Sequence, residues 1–182
     1  MFGQKSDGGH CVVIEAVVVM GVTACGKSSV AEALADEVGG RHIEGDTYHD
    51  PANIEKMRAG RALNDADRSA WLERLGILLA DAVARGERPV LSCSALKRHY
   101  RDRLRAAVPA LGFVFLRISE QEVERRVARR EGHFMSQGLV ASQFATLEPP
   151  EDEPLVLELD ATLPLAQISR QAALWWQANA DA

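Results

Sequence analysis

Residues 17–30 constrain this 182-residue chain more than any other stretch. Val17 to Met20 is an apolar, largely β-branched run of the kind that forms a strand buried on both faces. Gly21 closes it, Gly26-Lys27-Ser28 follows at a fixed interval, and a helical pattern starts at once. Gly21, Val22, Thr23, Ala24, Cys25, Gly26, Lys27 and Ser28, with Ser29 behind them, match the phosphate-binding loop G-x-x-x-x-G-K-[ST] in its strand–loop–helix setting. Glycines let a backbone wrap an anion without Cβ clashes. Backbone N–H groups and the helix N-terminus then point at phosphate oxygens. In such loops the lysine reaches the β- and γ-phosphates and the Ser hydroxyl ligates Mg²⁺. The expected ligand is a nucleoside triphosphate, with Lys27 and Ser28 in those two roles.

A strand that must end in a loop and a helix predicts more of the same, and the chain supplies it. Strands are expected at Val12–Met20, Arg41–Glu44, Pro89–Cys93, Gly112–Ile118 and Leu155–Leu159. Helices are expected at Ser28–Val38, Asn53–Arg58, Arg98–Ala107, Glu120–Glu131 and Leu165–Ala178. A long helix capped by Asn64 or Asp65 ends at Gly86; Trp71, Leu72, Leu75, Leu78, Leu79, Ala82 and Val83 share one of its faces. Alternation of this kind means an α/β fold: a parallel sheet covered on both faces, with right-handed crossovers. Ligands then bind beyond the carboxyl ends of the strands, which gathers Gly21–Ser28, Glu44–His49, Ser92–Arg98 and the segment after Ile118. The stretch from Glu148 to Pro154 reads as an exposed acidic loop.

The bulk numbers narrow the class. The length suits one domain, here expected over 12–182, with polar residues 1–11 as a disordered tail. A net charge of −5 gives no basic footprint for nucleic acid. No apolar run approaches the ~20 residues of a membrane span, and no signal-peptide pattern opens the chain. Cys11, Cys25 and Cys93 are scattered, without zinc or disulfide spacing. A cytoplasmic protein is expected, without nucleic-acid or membrane partners. An Asn-Lys-x-Asp guanine signature is absent.

Phosphoryl transfer also needs an oriented acceptor and cations for the developing charge. Glu44 and Asp46 sit two apart at the end of the second strand. On an extended backbone both carboxylates share a face, with Asp46 as base and Glu44 holding Mg²⁺ through water. Arg68 offers a fork for a substrate carboxylate, or a partner for Asp65 or Glu73 on its own helix. His49 suits a polyol hydroxyl or a turn. Lys97 follows the third strand, near the expected site; Arg101 and Arg105 suit an outer helix face. Arg125, Arg126, Arg129 and Arg130 are a dense basic group, of which one or two are expected on ATP phosphates, Arg125 and Arg129 foremost. Glu122 and Arg126 are spaced as a stabilising pair.

These blocks together resemble the gluconokinase family of small phosphate-loop kinases. The likeness runs from about Val17 to Trp176. It rests on Gly21 to Ser28, Glu44 to His49, Asn53 to Met57, Leu63 to Leu72, Cys93 to Arg98 with Tyr100 to Asp102, His133-Phe134-Met135, Ser142-Gln143, and Thr146 to Glu148. The resemblance implies a three-layer P-loop kinase fold with a five-stranded parallel sheet and a helical lid at about 120–147, similar to shikimate and nucleoside monophosphate kinases. It implies transfer from ATP, with Mg²⁺, to the 6-hydroxyl of D-gluconate, and often a homodimer. It makes Asp46 the substrate-side acid and Arg68 the carboxylate ligand, and it adds His133 and Gln143 to the substrate side. The chain departs from the family at Ala24, where glycine is usual, at Thr23, at Asp50 before Pro51, and at Ser69-Ala70 before Trp71. Ala24 tightens the loop if its position needs a positive φ, with a consequence for ATP affinity. A kinase for shikimate or another small hydroxy acid, and a non-catalytic nucleotide-binding module, are the alternatives.

Overall fold

A computed structural model describes residues 13–129 and 137–180. Five strands form one parallel sheet: β1 (Ala16–Met20), β2 (Arg41–Glu44), β3 (Pro89–Ser92), β4 (Leu111–Arg117) and β5 (Val156–Asp160), in the order β2-β3-β1-β4-β5. β1 is central and buried along its whole length, as its valine run requires. Its register sets Val18 against Leu91 of β3 and Phe113 of β4.

Seven helices connect and cover the strands: α1 (Lys27–Val38), α2 (Pro51–Arg58), α3 (Asp65–Ala84), α4 (Arg98–Ala107), α5 (Glu120–Ala128), α6 (Gln137–Thr146) and α7 (Leu165–Ala178). Side chains alternate across a strand, so the sheet has two cores. Val17, Val19, Val90 and Val114 face Val30 and Leu34 of α1 and Ala172 and Trp176 of α7. Val18, Leu91, Phe113 and Phe115 face Trp71, Leu75 and Leu79 of α3 and Tyr100 and Leu104 of α4.

Local chemistry explains the element ends. Asn64 caps α3 in a reciprocal box with Asp67. Asp50 accepts from the Asn53 amide at 2.8 Å and caps α2, with Pro51 in its first turn. Gly39, at φ +63, ends α1.

Several expectations need correction. β1 starts at Ala16, because Ile14 and Glu15 donate to the carbonyls of Asn179 and Ala110 instead of a ladder. Gly45–Tyr48 is a 3₁₀ turn, not a continuation of β2. α6 is a further helix that the sequence pattern did not predict. The loop before β5 is not simply exposed, and Arg101 is not on an outer face. Arg101 is fully buried and grips Glu153 with its Nε 3.0 Å from both carboxylate oxygens. Arg105 adds a bond of 2.7 Å to the same carboxylate.

Candidate active site

The phosphate loop follows β1 at the carboxyl edge of the sheet and is built on positive φ angles: +144° at Gly21, +56° at Ala24 and +102° at Gly26. At Gly21 a Cβ would lie 2.9 Å from both the Cys25 Sγ and the Leu116 carbonyl, so only glycine fits. At Gly26 space is open and the backbone conformation alone selects glycine. Ala24 therefore holds a left-handed conformation with a side chain that disfavours it. The Lys27 ammonium donates to the Val22 carbonyl at 2.9 Å, curled back over its own loop. Ser28 and Ser29 are exposed at the first turn of α1.

One cavity opens beside that loop. Lys27 and Thr23 line one side, and Asp46, His49 and Arg68 line the other. Met57, Leu63 and Leu139 supply apolar wall, and Gln143 closes it from α6. The Gln143 Oε1 accepts from the Thr23 amide at 2.6 Å, which leaves its amino group as a donor. Asp46 is exposed, with its Oδ1 3.9 Å from the His49 Nε2. His49 is buried and stacks on Trp71, ring centroids 4.1 Å apart at 16°. Trp71 is itself anchored, donating through Nε1 to the Gly45 carbonyl at 2.8 Å. Burial pushes the His49 imidazole below its ordinary value; Asp46 and Asp50 oppose this and Arg68 adds to it. Neutral His49 therefore meets whatever enters.

Arg68 does not pair with Asp65 or Glu73. Asp65 accepts from Lys97 and Tyr100, and Asp67 accepts from Lys56. The Arg68 guanidinium instead lies 5.8 Å from the rings of Trp71 and Tyr100. It has no carboxylate partner among the described residues, and it faces the cavity as a free fork. Beneath the site, burial drives the Cys93 thiol up to about 12, against the pull of Arg68 and Lys27.

Several expected residues stand elsewhere. Lys97 does not line this cavity, because Asp65 holds its ammonium at 2.7 Å on the far side of Leu63. The two acids do not share a face. The 3₁₀ turn carries Asp46 to the α3 side, whereas Glu44 alternates with Ile43 and lies on the α1 side, its Oε1 2.8 Å from the Ser92 hydroxyl. Arg125 turns back onto Glu122 on its own helix and is exposed. Arg129 is exposed at the end of α5. His133 lies outside the described residues.

Among the described residues of this group, Arg126 reaches the loop. It donates to the carbonyls of Ala24 and Cys25, each at 3.3 Å, and of Ala161 at 2.7 Å. Its expected bond to Glu122 is present at 2.9 Å. The i,i+4 spacing signalled that pair and gave no sign of the tertiary contact beyond it.

No group of three or more His, Cys, Asp and Glu among the described residues forms a metal cage. The donors expected from the sequence are the Ser28 hydroxyl and the Glu44 carboxylate, which is on the α1 side. Two hard oxygens suit a cation that keeps most of its water and binds substrate phosphates, which is the habit of Mg²⁺.

Comparison with known proteins places these features. A family model described as an AAA domain matches residues 17–150. Gluconokinase of Gluconobacter oxydans (strain 621H) is 48% identical over 141 residues, 77% of this chain and 79% of that protein. The crystal structure of a gluconokinase from Sinorhizobium meliloti 1021 is 46% identical, with a TM-score of 0.84 over 92% of this chain and 94% of that one. Shikimate kinase from Aquifex aeolicus is 12% identical at a TM-score of 0.61 over 91% and 98%, a likeness of fold alone.

Proposed function

The chain belongs to the gluconokinase family, and from that premise we propose how its site transfers the γ-phosphoryl group of ATP to the 6-hydroxyl of gluconate. The observation that carries the reading is the convergence of Asp46, His49 and Arg68 with Lys27 on one cavity beside the phosphate loop.

Loop N–H groups and the N-terminus of α1 cradle the phosphates of ATP. Lys27 leaves the Val22 carbonyl for the β- and γ-phosphates, exchanging a neutral acceptor for charged ones. Arg68 receives the gluconate carboxylate as a fork, which fixes the far end of the sugar acid. Neutral His49 and the Gln143 amino group hydrogen-bond its hydroxyls. The terminal hydroxyl then lies against Asp46. As the acceptor oxygen bonds the γ-phosphorus, its proton passes to Asp46, the bond to the β-phosphate oxygen breaks, and ADP leaves with that electron pair. Ser28 and Glu44 are the residues that would hold Mg²⁺, which would supply charge neutralisation for the phosphate oxygens. The exposed carboxylate of Asp46 suits a base that must hand its proton on to solvent after each turnover. The use of ATP as donor supports a cytoplasmic location.

Substitution separates the two substrate-side roles. Arg68→Ala is expected to raise the KM for gluconate by about tenfold to a hundredfold, the worth of charge-assisted hydrogen bonds, with the KM for ATP nearly unchanged. Asp46→Asn is expected to lower kcat by about a hundredfold or more while ATP still binds. A gluconate KM that does not move in folded Arg68→Ala removes the carboxylate role.

A further inference from the structure

Glu44 is held by the Ser92 hydroxyl, which His42 backs in turn, and phosphate-loop motifs include neither side chain. Ser92 ends β3 and is the register partner of Glu44; His42 lies two residues back on β2, on the same face. The Ser92 Oγ stands 2.8 Å from the Glu44 Oε1 and 3.1 Å from the His42 Nε2. An ionised carboxylate only accepts, and a hydroxyl carries one hydrogen. Ser92 therefore donates to Glu44, and His42 donates its Nε2–H to Ser92. The Ile43 carbonyl, 3.4 Å from the same hydroxyl, is the weaker acceptor. Ser92 is only 1% exposed, so its hydroxyl depends on these protein partners rather than on water.

The place of this chain in the sheet gives it a purpose. β3 separates β2 from β1, and β1 carries the phosphate loop. β3 ends in a serine where the neighbour of the loop strand could have offered an acid. The carboxylate that Glu44 brings from β2 leans over the end of β3, 2.8 Å from the Ser92 hydroxyl. His42, Glu44 and Ser92 lie on the face that α1 covers, opposite Ile43 and Leu91. Ser28 stands in the first turn of that helix.

We propose that Ser92, backed by His42, is a positioning residue that aims the Glu44 carboxylate at the cation held beside Ser28. This rests on the assignment of Glu44 to Mg²⁺ made under the proposed function. The test is calorimetric titration of the whole protein with ADP, with and without Mg²⁺, alongside KM values for gluconate. Ser92→Ala is expected to shrink the Mg²⁺-dependent gain in ADP affinity by about tenfold, the scale of outer-shell losses at metal sites. Metal-free ADP affinity and the KM for gluconate stay at wild-type values. Ser92→Thr, which keeps the hydroxyl, restores the gain; His42→Ala reduces it less than Ser92→Ala and leaves the buried hydroxyl in place should Ser92→Ala fail to fold. If Glu44→Gln loses the gain while folded Ser92→Ala and His42→Ala keep it, the positioning role is overturned. If Glu44→Gln keeps the gain, Glu44 does not serve the metal, and the assignment beneath the proposal fails with it.

Discussion

Ala24 carries the cost of the phosphate loop in a single residue. Its φ of +56° is a left-handed conformation that costs an L side chain about 1–2 kcal/mol. Glycine would remove that strain and return about 0.4–1 kcal/mol to unfolded-chain entropy. Ala24→Gly is therefore expected to stabilise the fold by up to about 1 kcal/mol in urea denaturation; a loss of stability would show that the loop holds Ala24 without strain. The departure was legible as a residue type in a known motif, and the positive φ on which its effect was conditional is present. His49 makes the second residue-scale prediction. Its folded value lies below the ordinary 6.5 because burial disfavours the imidazolium. The unfolded chain takes up the proton first as pH falls. Stability is thus full above pH 6.5 and declines as pH drops through the interval down to the lower folded value. His49→Phe keeps a ring against Trp71 and should flatten that part of the pH dependence, read from urea midpoints at pH 7.5 and 5.5.

At the scale of elements, the buried cluster of Glu153, Arg101 and Arg105 ties α4 to the loop before β5. Burial alone would raise the Glu153 carboxyl; the hydrogen bonds and charges of the two arginines outweigh it and hold it below its ordinary 4.5. Its contribution is present above pH 4.5 and is lost as pH falls through the lower folded value. Glu153→Gln leaves two guanidinium groups facing a neutral amide and is expected to cost about 3 kcal/mol, measured by thermal or urea unfolding; a change near zero would make the cluster a surface ornament. Sequence pattern could not foresee it, because arginines on a helix read as a solvated face until their partner, about 50 residues on, is seen. Where punctuation is strong the elements were readable: Gly39-Gly40 before β2, and the bounds of β2, α4 and α7 stand as expected. The turn Gly45–Tyr48 is too short for any periodicity and is pinned by Trp71, 26 residues away. That turn, more than any substitution, decides that Glu44 and Asp46 face different sides. α6 lies within the helical lid that the resemblance implied, but the residue pattern did not mark it, because its ten residues carry no acidic first turn or basic last turn.

Across the whole molecule, the alternation of strands and helices announced a parallel sheet and the phosphate loop announced its working edge. The order β2-β3-β1-β4-β5 is a tertiary fact, and it sets β2, with Glu44 at its end, two strands from the loop strand β1. Lys27, Asp46, His49, Arg68 and Gln143 were legible in the sequence and line one cavity, whereas the diversion of Lys97 to Asp65 and the hold of Arg126 on the loop carbonyls were not. The central claim is that this edge joins ATP to gluconate. Its most direct test is coupled ADP release with ATP and Mg²⁺ against gluconate, gluconate epimers, shikimate and nucleoside monophosphates. Release that depends on gluconate, is weak with the other acceptors and is abolished in Lys27→Ala is the predicted result. Release driven instead by shikimate or a nucleotide, or none with gluconate from protein that binds ATP, would contradict it.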